Sequence, residues 1–365
     1  MRKISLILAL TLYVSLLAGC AGTPVVYQTN CTCPVEAHTP AETVAPVVKE
    51  TVAVEAPVAE GALKTGLYIS AGIGDSKSAT AEENGEGKYD VTMVAVLVDD
   101  EGIIRDCVID GIAASVTFDN TGAITSDLTA APQTKNELGE NYGMVAWGGA
   151  IAEWDEQAAA LASYAVGKTV EELKSGAVDE TGKAPAGSDL ASSATIYLGG
   201  YVAAIEKAVA NAQHLGAQAG DVLKLASVNG IDSSASAGEK DGVAQLDATV
   251  TAMTMNGETI TSCAIDAVQA KVNFDVTGTV TTDLTAPVQT KNELGEGYGM
   301  VAWGGAIAEW DAQAASFASY VTGKTVADVS GIAVDESTHP TDADLASSVT
   351  IAIGGFQALI AKAAN

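Results

Sequence analysis

The segment Gln133 to Asp155 (QTKNELGENYGMVAWGGAIAEWD) recurs from Gln289 to Asp311 with a single change, Asn141 against Gly297. A copy displaced by 156 positions is too long a period for a solenoid and fits two tandem copies of one globular unit. The copies are expected at 63–212 and 220–365, each near the usual size of a domain. Because they are so alike, a residue shared by both can record recent duplication as well as use.

Each copy reads strands first and helices afterwards, which places the chain in the α+β class. In the second copy Leu246, Ala248, Val250 and Ala252 alternate with Asp247, Thr249 and Thr251, and Asn256-Gly257 then supplies a hairpin turn. In the first, Val91 to Val98 leads into the turn Asp99-Asp100-Glu101-Gly102, and further turns are expected at Asn120-Thr121-Gly122 and Val276-Thr277-Gly278. These are antiparallel meanders. The spacing of Ile151, Trp154, Ala158, Leu161, Ala162 and Ala165 then predicts a helix with one buried face, stopped by Gly167. Thr169 with Glu172 forms a capping box for a short helix, and last helices are expected over 201–212 and 356–364.

Upstream of both copies, Arg2 and Lys3 precede an apolar run from Ile4 to Leu17 that ends in Leu17-Ala18-Gly19-Cys20. Small residues let a peptidase close on the backbone, and the thiol of Cys20 can receive diacylglycerol, so 1–19 reads as a lipoprotein signal peptide. The run is short for a membrane span, and the expected anchor is a lipid on Cys20 at the extracellular face of the cell membrane. The octapeptide Leu12 to Gly19 also has the look of the pheromones released from such signals. Five of the nine prolines fall between Pro24 and Pro57 among Thr, Val, Ala and Glu. That composition makes 20–62 an anchor and tether, with a coil span on the order of 35 Å.

Composition limits the partners. Forty-six acidic residues against 18 basic ones give a net charge of −28, which argues against nucleic acid and anionic lipid headgroups as partners of the folded part. Cys31 and Cys33 lie in the tether and Cys107 and Cys263 at equivalent places in the repeats, so no disulfide framework follows. Three histidines, His38, His214 and His339, and no Cys-x-x-Cys-His argue against haem or zinc. They also leave no Ser-His-Asp set for each copy, so no nucleophile, base and orienter constellation for turnover chemistry is expected.

The chemistry is most legible just before each last helix. Asp189-Leu-Ala-Ser-Ser-Ala-Thr195 and Asp344-Leu-Ala-Ser-Ser-Val-Thr350 set a hydroxyl six residues after an acid, among small residues and near a helix start. Such a place suits phosphate, although Ser and Thr there can equally be plain helix caps. These segments resemble the flavinylation motif Asp-x-x-Ser/Thr-Gly/Ser-Ala-Thr of the FMN-binding domain family, which includes the C subunit of sodium-pumping NADH:quinone reductase and the G subunit of the Rnf complex. The resemblance implies two FMN groups, each joined through its phosphate by a flavin transferase to Thr195 or Thr350. Asp189, Ser192, Ser193, Asp344, Ser347 and Ser348 would complete the motifs. Ser193 and Ser348 stand where Gly is commoner, and Val349 stands where Ala is usual, which makes it the first position to examine if only Thr195 is modified.

Lipobox, tether and paired motifs together resemble the flavinylated lipoproteins of Gram-positive extracellular electron transfer. The implied role is an electron relay from a membrane quinol or NADH dehydrogenase to external acceptors. All four tryptophans fall in the duplicated block. Tyr142 and Trp147, with Tyr298 and Trp303, are the expected flavin neighbours, because aromatic faces stack on an isoalloxazine and Gly148-Gly149 or Gly304-Gly305 allow close approach. Trp154 and Trp310 fit the helix core face, and Lys135 and Lys291 are either phosphate partners or solvated surface lysines. The alternative is a non-redox surface lipoprotein, a ligand-binding or adhesive module in which the threonines only cap helices.

Overall fold

The computed structural model describes residues 61–365. The signal peptide, Cys20 and the tether as far as residue 60 lie outside the described residues. The first repeat opens with β1 (Lys64–Gly72), β2 (Gly85–Val98) and β3 (Ile104–Phe118), and the second with β4 (Val222–Gly230), β5 (Gly242–Asn256) and β6 (Thr259–Phe274). Each trio is an antiparallel meander with the middle strand central. The β2–β3 turn is held by Asp99, whose carboxylate accepts from the Ile103 N–H at 2.9 Å and from Arg105 Nε at 2.6 Å. The β5–β6 turn is the Asn256-Gly257 hairpin, with Gly257 at φ 58, a conformation that a two-residue turn needs and glycine reaches without strain.

Helices cover one face of each sheet. They are α1 (Lys135–Leu138), α2 (Met144–Gly148), α3 (Trp154–Ala165), α4 (Val170–Ala177) and α5 (Gly199–Ala210), followed in the second repeat by α6 (Lys291–Leu294), α7 (Met300–Gly304), α8 (Trp310–Val321), α9 (Val326–Ser330), α10 (Ala343–Ala346) and α11 (Gly354–Ala364). The fold class is therefore α+β. Helix α3 buries Trp154, Ala158, Leu161, Ala162 and Ala165 as the spacing predicts, but it begins at Trp154, and Ile151 stays outside it and exposed. A glutamate capping box, Glu153 with Glu156, sets that start. The Thr169–Glu172 box opens α4 as expected. An equivalent box, Thr134 with Glu137, opens α1 inside the duplicated block.

The opposite faces of the two sheets pack on each other. Along β2, Tyr89, Val91 and Met93 enter the core between the sheets while Val94, Val96 and Val98 enter the core under the helices, so the strand is buried on both sides. Phe118 and Phe274 stack at the centre of symmetry, with ring centroids 3.8 Å apart and planes 3° from parallel. Around them the contacts are reciprocal. The Ala79 N–H donates to the Gly278 carbonyl and the Ala237 N–H to the Gly122 carbonyl, both at 2.8 Å. Ile124 N–H meets Ser236 Oγ and Val280 N–H meets Ser78 Oγ, both at 2.9 Å. The repeats thus share a core about a pseudo-twofold axis, and residues 61–365 belong to one compact unit.

Candidate functional site

In both repeats the motif threonine is fixed by a glutamine from the long helix. Gln157 on α3 is fully buried, and its Oε1 accepts from the Thr195 N–H at 2.8 Å, the Ile196 N–H at 3.2 Å and the Thr195 hydroxyl at 3.3 Å. Gln313 on α8 repeats this for Thr350 and Ile351 at 2.8, 3.3 and 3.2 Å. Leu190 and Ala194 on one copy, and Leu345 and Val349 on the other, point into the core. Both threonines are left at the surface on a backbone that cannot turn away.

The threonines are not helix caps. Helix α5 starts at Gly199, and its N-cap is Leu198, without a side-chain hydrogen bond; α11 starts the same way after Ile353. The Leu198 and Gly199 N–H groups are taken by the Gly182 carbonyl at 2.8 and 3.0 Å. The expected proximity to a helix start is thus four residues of chain. The serines act locally, Ser192 Oγ donating to the Asp189 carbonyl at 2.6 Å and Ser347 Oγ to the Asp344 carbonyl at 2.8 Å. Asp189 and Asp344 are exposed, and α10 is capped by Asp342 instead.

The same glutamines reach the duplicated aromatic block. Gln157 Nε2 donates to the Ala152 carbonyl and Gln313 Nε2 to the Ala308 carbonyl, each at 2.8 Å. Those carbonyls end a loop that starts at α2 or α7 and is clamped by a glutamate: buried Glu153 accepts from the Met144 and Val145 N–H groups at 2.8 and 3.0 Å, and half-buried Glu309 does so for Met300 and Val301. The loop presents its apolar side chains to solvent. Trp147 is 84% exposed and Trp303 91%, beside exposed Val145, Ile151, Val301 and Ile307. Trp147 lies over Gly143, where a Cβ would sit 2.6 Å from the indole and where φ is 80, so only glycine fits on both counts.

Tyr142 and Tyr298 are half-buried at the base of this loop, whereas Trp154 and Trp310 are core, as their spacing predicts. The lysines behave differently from solvated surface lysines. Lys135 Nζ lies 5.4 Å from the Tyr142 ring centre, 4.9 Å from that of Trp154 and 3.5 Å from Asp90. Lys291 Nζ lies 4.9 and 4.7 Å from the rings of Tyr298 and Trp310. Both are in cation–π reach of two rings.

Cys107 and Cys263 are buried, and burial pushes the Cys263 thiol up to about 12 and that of Cys107 higher still, so neither is a nucleophile at neutral pH. Among the described residues no group of His, Cys, Asp and Glu could hold a metal ion, and no helix is long and apolar enough to cross a membrane. A cleft of about 820 Å³ between the repeats contains neither Thr195 nor Thr350. No family model, curated protein or solved structure matches the chain.

Proposed function

We propose that the chain is a membrane-anchored extracellular electron carrier with FMN attached covalently to Thr195 and Thr350, relaying electrons from a membrane quinol or NADH dehydrogenase to external acceptors. One observation carries this reading. Twice over, an exposed threonine hydroxyl is immobilised by a buried glutamine whose other end holds a loop offering a solvent-exposed tryptophan. Each indole, with its exposed valine and isoleucine neighbours, offers an apolar surface that a planar apolar partner would cover.

The residues fit the group. Each motif stretch, Ser188 to Tyr197 and Asp342 to Ile351, has no lysine or arginine of its own, so a phosphate held there would need an attachment other than an ion pair within the stretch. An ester to threonine supplies it. The hydroxyls of Thr195 and Thr350 would hold the group as a phosphoester, which a flavin transferase would form from an activated flavin dinucleotide with loss of the nucleoside monophosphate and of the hydroxyl proton. Gln157 and Gln313 accept that hydroxyl hydrogen but are not bases, so the transferase must provide one. An esterified oxygen would have no hydrogen to donate, whereas the backbone N–H groups of Thr195, Ile196, Thr350 and Ile351 would still have the glutamine oxygens as acceptors. A bound FMN accepts one or two electrons, and the chain supplies its attachment, orientation and reach.

The test is the intact mass of denatured protein coexpressed with a flavin transferase. Two added FMN masses per chain are expected, one lost in Thr195→Ala and the other in Thr350→Ala. Protein that is colourless after unfolding, with the unmodified mass, would leave a non-redox surface lipoprotein as the reading. Cys20→Ser is expected to abolish lipid-specific processing and detergent partitioning of the same protein.

A further inference from the structure

Two places between the repeats correspond under the pseudo-twofold axis, and they differ in what occupies them. Where β4 meets β3, Lys362 from α11 fills the cleft: its Nζ donates to the Ser227 carbonyl at 2.7 Å and pairs with Glu137 at 2.5 Å. Where β1 meets β6, the cleft is open, with a volume of about 820 Å³. The residues in the corresponding register positions are Ile69 for Ser227 and Glu293 for Glu137, and both line it. The corresponding lysine is Lys207 on α5, which is exposed to solvent, and Tyr68 stands where the filled cleft has Ala226.

The open cleft is acidic, and its carboxyl groups meet backbone N–H donors, Asp266 those of Ala267 and Asn292 and Glu293 that of Thr290, but no cationic side chain. Glu293, Asp266 and Asp311 line it, and no lysine or arginine does. Asp311 Oδ1 is enclosed without a hydrogen-bond partner, as Asp155 Oδ1 is in the other repeat, and Glu293 acts on the neighbouring Tyr68, whose hydroxyl is held above its ordinary range by burial and then by that carboxylate. His214, at the rim, is committed to Asp100 at 3.1 Å. The volume lies in the range of small-molecule sites.

We propose that this cleft binds an aliphatic amine, whose ammonium takes beside Glu293 and Ile69 the place that the Lys362 ammonium holds between Glu137 and Ser227. The occupied twin shows the chemistry that fits, a primary ammonium on a methylene chain lying over β-strand backbone. The net charge of −28 raises the local concentration of such cations. The site is independent of flavin and stands whether or not Thr195 and Thr350 are modified.

The probe is 1,5-diaminopentane, titrated calorimetrically into the full chain in detergent at fixed ionic strength. One saturable site per chain is expected, with the amide resonances of Ile69 and Glu293 shifting. Glu293→Gln is expected to weaken binding at least tenfold, while Glu239→Gln, an exposed carboxylate elsewhere, leaves it unchanged. Lys362→Met, which empties the twin cleft, is expected to raise the stoichiometry from one to two. Absence of saturable heat in the wild type, or equal weakening by both glutamate variants, overturns the proposal. Should Lys362→Met fail to fold, the two glutamate variants decide alone.

Discussion

Gln157 and Thr195 lie 38 residues apart and are joined through a single side-chain oxygen, which accepts from the threonine N–H at 2.8 Å. The neighbouring Ile196 N–H shares that oxygen, and Gln313 repeats the pairing with Thr350. Replacing Gln157 by leucine keeps the volume and removes the acceptor, so two N–H groups lose their partner. A loss of about 2 kcal/mol in unfolding free energy is expected. Denaturant titration measures it, and intact mass should show less flavin on Thr195 with Thr350 unaffected.

Val349 is fully buried in the second core, on the opposite side of the chain from the Thr350 hydroxyl, just as Ala194 is buried beneath Thr195. Its departure from the motif is a matter of packing. Val349→Ala is expected to cost about 1–2 kcal/mol through a small cavity and to leave flavin loading at Thr350 unchanged. Thermal melts paired with mass measurement check both halves of that statement.

Trp147 and Trp303 contribute little to stability from their exposed positions. Each is expected to change unfolding free energy by less than about 0.5 kcal/mol on replacement by alanine. With FMN attached, the same replacement should brighten flavin fluorescence by removing a stacked quencher, a change that steady-state emission of the native protein records.

Burial raises the Asp266 carboxyl to about 6, with Glu293 adding a smaller push, against hydrogen bonds from Thr290, Asn292 and Ala267. A carboxyl with a folded-state value above its unfolded value of 3.8 favours the fold while protonated, and that contribution is lost as pH rises from about 4 through about 6. Asp266→Asn keeps an oxygen for the Asn292 and Ala267 N–H groups, which it meets at 3.0 and 2.7 Å. The variant is expected to match the wild type near pH 4 and to exceed it by up to about 3 kcal/mol at pH 7. Denaturation curves at the two pH values provide the comparison.

Strands, hairpins and the buried faces of the long helices were legible because each follows a local period. The run Val91 to Val98 also held a sign of the shared core, since a strand apolar on both faces has both covered, but a single run does not say by what. In β5 the sign is masked. Thr251 and Thr254 are buried yet polar, and they are tolerated because Thr251 Oγ1 donates to the Ala264 carbonyl at 3.0 Å and the Thr254 hydroxyl meets Ser262 Oγ at 2.7 Å. The threonine motifs were legible as a spacing, but their fixing was not. Gln157 joins its helix to a segment 38 residues on, and the only trace in the sequence is a polar residue on an otherwise apolar helix stripe, beside Trp154, Ala158 and Leu161. Lys135 escaped for a similar reason, its aromatic surroundings being assembled from α1, α3 and the loop before α2.

The stacked pair Phe118 and Phe274, with its ring of reciprocal hydrogen bonds, has the form of an isologous contact, in which one surface patch meets its own copy. A progenitor carrying a single repeat would therefore have been a homodimer, with two identical inter-repeat clefts. Fusion into one chain freed the two halves from that identity, and lysines at one and the same helical position, Lys207 and Lys362, now serve opposite ends, one at solvent and the other closing its cleft.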